Sequence, residues 1–344
     1  MRLIKVICGM VFISSLFSCE NEVVINAEFE EKTFALGLLE AGNPAAGSDT
    51  QFVKITKTFL DNETNAIQLA QDPNNLYYDS LEVTLNELNT TNTVVKSFKL
   101  TKILRPKADG LFTTERNEAY YTDSIVKENT TYTLTIDKLD GTAITSGKAT
   151  VSRGVVLVEP DIRRSGKISF IDPRSKSIIN ERFEFTTTAN VGEFSARMIF
   201  NYMEIINVDS VIKSIEIPLT SILNTSLNET NYVFIFDGQK FFTAFEANIP
   251  SSINPPKRLV LDKGMDVIVE AADADYALYR DVNGPIDGLA QTRPDYTNIT
   301  NGIGLFASRN LKVNKISLSG DTKNYIIATY GDRGNLSEYR GFEF

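Results

Sequence analysis

Apolar residues recur at every second position in short runs along most of this chain. Leu81, Val83 and Leu85 alternate with Glu82, Thr84 and Asn86, and Tyr132, Leu134 and Ile136 alternate with threonines. Phe183 and Phe185 repeat the pattern. A period of two puts all apolar side chains of a strand on one face and the polar ones on the other. Such strands must be buried by a second layer, and Asn/Asp/Gly turns such as "LDGT" and "YGDRGN" separate them. The expected class is therefore mainly β, with an antiparallel sandwich at the N-terminal end and a β-rich C-terminal domain carrying a few short helices.

One run and three segments depart from the alternation. "YVFIF" (232–236) is apolar throughout, as for a strand covered on both faces. Helical spacing is found over 62–72, 237–250 and 273–285. The second places Phe241, Phe242, Phe245 and Ile249 on one side, and the third starts with Asp273 and Asp275 and carries Arg280 before Asn283-Gly284-Pro285. Pro160, adjacent arginines and Gly166 interrupt the strand pattern at 158–166. The domain reading is a signal peptide over 1–18, an immunoglobulin-like sandwich over 19–157, a linker at 158–166 and a C-terminal domain over 167–344.

The N-terminus carries an address. Arg2 and Lys5 precede an apolar run, Val6–Phe17, that is too short for the ~20 residues of a membrane span. Leu16-Phe17-Ser18-Cys19 resembles a bacterial lipobox, so Cys19 is the expected lipid attachment site, followed by Glu20 and Glu22. Each buried methylene contributes about 0.8 kcal/mol, so two or three acyl chains anchor firmly. The expected location is a membrane surface, held by the lipid.

Composition excludes whole chemistries. Removal of residues 1–18 takes away Arg2 and Lys5 and lowers the net charge from −9 to −11. With no Lys/Arg cluster, nucleic acid is not expected as a partner. Cys8 leaves with the leader and Cys19 is acylated, so no thiol remains for a disulfide or a metal. The chain has no histidine, which removes Ser-His-Asp and Cys-His catalysis and His-ligated metals. No catalytic residue, cofactor or metal is expected.

Motif matches fail on spacing. In "GTAITSGKA" five residues separate Gly141 from Gly147, where a phosphate loop needs four, and Ala149 replaces its Ser or Thr. Ser210/Lys213 and Ser124/Lys127 fit Ser-x-x-Lys, but in a strand such pairs point apart. Glu270, Asp273 and Asp275 could be calcium ligands, although capping of a helix accounts for both aspartates. "YYDS" (77–80) and "YYTDS" (120–124) put paired tyrosines at strand ends, as packing or as a ligand platform. Gly302 and Gly304 bare one face of a strand that Phe306 continues, inviting close approach by another segment.

Together the lipobox, "AIQLAQDPNNLYYDSLEVTL" (66–85) and "GLAQTRPDYTNITNGIGLFASR" (288–309) resemble a family of uncharacterised Bacteroidota outer-membrane lipoproteins. Pro294, Asn298, Asn301-Gly302 and Gly304-Leu305-Phe306 are the most specific part. The resemblance implies an outer-membrane location, on the periplasmic face or the cell surface, an immunoglobulin-like N-terminal part and a role accessory to a TonB-dependent transporter. The functional expectation is a lipid-anchored, non-catalytic binding or assembly module, with an outer-membrane protein or a glycan as partner. The alternative is a carboxylate-dependent glycan hydrolase, since 44 acidic residues leave room for a catalytic pair.

Overall fold

A computed structural model describes residues 29–41, 50–59, 65–161, 166–223, 230–283, 296–332, 334–335 and 337–343. Cys19, Cys8, Arg163, Arg164 and Pro294 lie outside the described residues. The first part of the chain forms β1 (Thr33–Ala41), β2 (Gln51–Lys57), α1 (Ala66–Leu69), α2 (Pro73–Leu76), β3 (Glu82–Leu88), β4 (Val94–Lys99), β5 (Thr101–Leu104), β6 (Glu118–Thr122), β7 (Thr130–Asp137) and β8 (Thr145–Val151). The middle forms β9 (Val155–Glu159), β10 (Lys167–Ile168), β11 (Glu181–Thr187), β12 (Glu193–Ile206), β13 (Asp209–Leu223), β14 (Asn231–Phe236) and α3 (Gly238–Asn248). The last part forms β15 (Lys257–Ala272), α4 (Ala274–Asn283), β16 (Ile299–Thr300), β17 (Gly302–Leu318), α5 (Gly320–Tyr330) and β18 (Phe342–Glu343).

The protein is mainly β, and its strands enclose two cores. A long sheet runs β13-β12-β15-β17-β1-β2-β6-β5. Its β1-β2-β6 end faces the sheet β16-β8-β7-β3-β4. The alternation puts Ala35, Val53 and Ile55 opposite Val83, Leu85, Tyr132 and Leu134, all buried. The other end of the long sheet faces β14-β11-β9, with α3 and α5 completing the enclosure. That second core is aromatic: Phe170 stacks on Phe241 at 4.5 Å and Phe245 on Tyr330 at 4.7 Å. Burying a Phe contributes about 1.5–3 kcal/mol, so this cluster is a large source of stability.

β17 holds the two cores together. Gly302–Asn310 pair in parallel with β1, Thr33 to Ala41, while Arg309–Ile316 pair antiparallel with β15. β16, just before it, pairs with β8. Residues late in sequence thus complete the N-terminal sandwich, and Ile299 and Phe306 sit in its core. Val158 and Glu159 of the expected linker belong to β9, which pairs with β11 on the side of the second core.

The helices follow their caps. Asn65, Asp72, Asp237 and Ser319 each accept a hydrogen bond from the first turn of the helix they precede. Of the helical spacing over 62–72, the described part forms the single turn α1, and Asp72 caps a second turn, α2, beyond it. Phe241, Phe242, Phe245 and Ile249 are buried as their spacing requires. "YVFIF" is different from expectation: β14 is an edge strand with one open face, leaving Val233 53% and Ile235 55% exposed. Among the described residues no helix is long and apolar enough to cross a membrane.

Candidate functional site

The outer face of the N-terminal sheet carries a cleft of about 540 Å³. Because Ala35, Val53 and Ile55 point into the core, Phe34, Lys54 and Thr56 must point outward, and they form its floor. A flap folds over them, built from α1, α2 and the β5–β6 loop. The Thr113 amide donates to the Ala70 carbonyl, Gln71 Nε2 donates to the Leu111 carbonyl at 2.6 Å, and Arg116 donates to Asn74 Oδ1. Leu76 and Tyr77 from the flap's base and Phe112 from the loop wall the cleft. The volume lies within the range of ligand sites, roughly 300–1,000 Å³, and the lining is mostly apolar.

Lys54 is the polar centre. Its three N–H donors reach Tyr77 Oη at 2.8 Å, Asn117 Oδ1 at 2.7 Å and the Glu118 carbonyl at 2.8 Å. All of an ammonium's donors are therefore used, which fixes the charge in place. Burial, and after it the nearby Lys107 charge, lowers its pKa to about 8, while Glu118 pulls the other way. Glu118 is itself held by Lys102 and Arg116, each at 3.0 Å. Lys57 and Lys107 also line the cleft, and neither has a carboxylate partner among the described residues. Lys107 instead donates to the Phe112 carbonyl at 3.0 Å. In an acidic chain this is a local excess of positive charge beside apolar walls.

Past Lys54 the cleft opens into a groove of about 790 Å³ floored by Leu36, Leu38 and Phe52. The Arg105 guanidinium lies 4.2 Å from the centre of the Phe52 ring. A second, smaller pocket of about 190 Å³ lies where β12 and β15 meet β17, lined by Glu193, Ser195, Glu270, Tyr276, Arg280 and Arg309. Burial, reinforced by Glu270, raises the Glu193 pKa although Arg280 pairs with it. Glu270 is paired with Arg309 at 2.8 Å and Arg197 at 3.3 Å. An acid beside a carboxylate is the raw material for acid–base chemistry, but here both are engaged by arginines and the space is small.

The residues singled out in the sequence are distributed as follows. Tyr77 is in the cleft wall, Tyr78 shares a 2.9 Å hydrogen bond with Thr33 Oγ1, and Tyr121 packs near Phe52. Tyr120 is buried, and that burial pushes its hydroxyl up to about 12. Gly304, at φ +120°, lets β1 approach: a Cβ there would lie 2.0 Å from the Ala35 carbonyl oxygen. Phe306 fills the space beside Gly37 and Gly147, where a Cβ would meet it at 2.9 and 2.7 Å. Asn298 donates to and accepts from the Phe306 backbone at 2.7 and 2.8 Å, and Asn301 donates to the Ile144 carbonyl. The "GIGLF" segment (302–306) thus serves packing of the N-terminal sandwich.

Glu270, Asp273 and Asp275 do not converge. Asp273 caps α4 through the Tyr276 amide and accepts from the Ser308 amide and hydroxyl. Asp275 accepts from Tyr296 Oη at 2.5 Å and from Asn298. Among the described residues there is no group of three or more acidic side chains that could hold a metal. Gly147 and Lys148 lie in β8, and Ser210 and Lys213 in β13. Lys127 pairs with Glu87 at 2.7 Å rather than activating Ser124. Lys54, Lys57, Lys107 and Phe112 were not singled out in the sequence: "QFVKITK" reads as an ordinary strand with a solvated lysine face.

No family model matches the chain, and no curated protein matches it. A solved structure, trypsin-activated alpha-2-macroglobulin from Escherichia coli, matches at 10% identity with a TM-score of 0.19. That match covers 71% of this chain and 14% of the macroglobulin chain, and it carries no argument about fold or function.

Proposed function

We propose that this protein is a lipid-anchored, non-catalytic binding or assembly module at the outer membrane, accessory to a transporter of the TonB-dependent class. The observation that carries the binding role is the Lys54 cleft: a ligand-sized, mostly apolar space with a fixed charge, and no carboxylate in its lining among the described residues. The lipobox ending in Cys19 supports the anchor, and the absence of histidine from the sequence narrows the catalytic options. Recognition through a flap and loops on a rigid sheet fits an all-β scaffold.

The second reading is glycan hydrolysis, favoured by the raised Glu193 carboxyl beside Glu270. One experiment separates them. The tagged lipoprotein is captured from membranes in mild detergent, and envelope glycans are incubated with it in parallel. A stoichiometric partner with no new reducing ends supports the module. Glycan cleavage that Glu193→Gln abolishes while the fold survives would replace it with the hydrolase.

A further inference from the structure

The Lys54 cleft combines three features whose conjunction specifies a ligand. Phe34 lies in its floor and Leu76, Phe112 and the ring of Tyr77 form its walls, so the body of the ligand must be apolar. Three lysines, Lys54, Lys57 and Lys107, lie on one cleft, and among the described residues no carboxylate belongs to its lining. Lys54 is also locked by three protein acceptors, so it offers a fixed field rather than a free donor. Tyr77 Oη accepts from Lys54, which leaves its own hydrogen to donate, and the Lys57 and Lys107 ammonium groups retain donors.

Such a site is electrostatically unfinished. Lys54 and Lys107 repel each other in a partly desolvated space, where charge interactions are stronger than in water. A cation of the ligand would worsen this, and a neutral ligand would leave it unchanged. Only an anion relieves it. We infer that the cleft binds an amphipathic anion, with an aliphatic or aromatic body against Phe34, Leu76 and Phe112 and one carboxylate or phosphate head among Lys54, Lys57 and Lys107. This deepens the binding-module reading and rests on it.

The test uses the chain from Glu20 onward, made without its leader and therefore without acyl chains of its own. That piece contains every described residue, hence both cores and the whole cleft. Dodecanoate, dodecyl phosphate, dodecanol and dodecyltrimethylammonium are titrated below their micellar concentrations by calorimetry. At least one of the two anions should bind about tenfold or more tightly than dodecanol, and the ammonium should bind weakest. The stronger anion identifies the head group. Lys107→Met, at an exposed position, should weaken the anion about fivefold and so shrink its preference over dodecanol by a similar factor. Lys54→Met should weaken it further, with circular dichroism reporting its fold. Equal affinity for all four probes, no binding of either anion, or anion binding indifferent to Lys107→Met would overturn the inference. Those outcomes leave the binding module standing if a membrane partner is still captured, whereas glycan cleavage would remove the module itself.

Discussion

Replacing Gly304 with alanine tests the seam on which the architecture depends. Gly304 has φ +120°, a region L-residues avoid, and its absent Cβ would sit 2.0 Å from Ala35 O and 2.9 Å from Ala35 C. An ordinary carbon–oxygen contact is about 3.3 Å, so β1 must retreat by roughly 1.3 Å. Ala35 is fully buried and the next outward step is blocked by the paired strand β2, so the retreat cannot be local. The backbone strain costs about 1–3 kcal/mol. Lengthening the two hydrogen bonds beside the site adds about 1 kcal/mol each. A total of about 3–5 kcal/mol is a large share of the 5–15 kcal/mol typical of a domain. With a urea slope of about 2–3 kcal/mol per M, the midpoint should fall by about 1.5 M. The chain has 13 tyrosines and no tryptophan, so tyrosine emission is the probe. Gly110→Ala, with nothing within 4 Å of the added carbon, is the control and should stay within about 0.5 kcal/mol. A Gly304→Ala midpoint within 0.3 M of wild type (about 0.6–0.9 kcal/mol at that slope) would mean that β17 does not lie against β1 in this register.

Three further outcomes are expected. Lys54, with its pKa near 8, should be about half neutral at pH 8, against about one in 300 for an ordinary lysine. Competitive acetylation should therefore give it a midpoint near 8 that Lys107→Met moves upward; a midpoint above 10 in the wild type would contradict the burial argument. Burial raises the Asp273 carboxyl to about 6, so between about pH 4 and 6 the folded state holds a proton the unfolded state has lost. Stability should thus fall as pH rises through that window, by about 2–3 kcal/mol relative to Asp273→Asn, and a flat difference would refute it. Cys19→Ala should leave an unprocessed precursor and abolish palmitate labelling, and labelling that persists would disprove the anchor.

The strands were legible because alternation is a local consequence of pleat geometry: Tyr132, Leu134 and Ile136 are all buried, with threonines between them facing out. The Phe spacing of α3 was equally plain, and Gly302 and Gly304 correctly signalled a close backbone neighbour. What that neighbour is could not be read, since β1 lies some 270 residues earlier and pairing over such distances leaves no local mark. α5 was overlooked although Ser319 caps it and Ile326 and Tyr330 are buried four apart. The apolar run of β14 misled because composition does not report whether a strand is central or at an edge. The cleft was illegible for a related reason. Alternation says that Lys54 points outward, but not that α2 and the 105–117 loop fold over it to make that outward face half-buried.

The central claim is that this protein holds a ligand without altering it, and that the Lys54 cleft does the holding. Native mass spectrometry of the protein recovered from cells that produce it, beside Lys54→Met and Lys107→Met, tests both halves. A non-covalent adduct is expected that is depleted in both variants and whose released mass equals that of the same compound in untreated envelope extract. An adduct that persists in both variants, or a released species shorter than its parent and lost in Glu193→Gln, would contradict it.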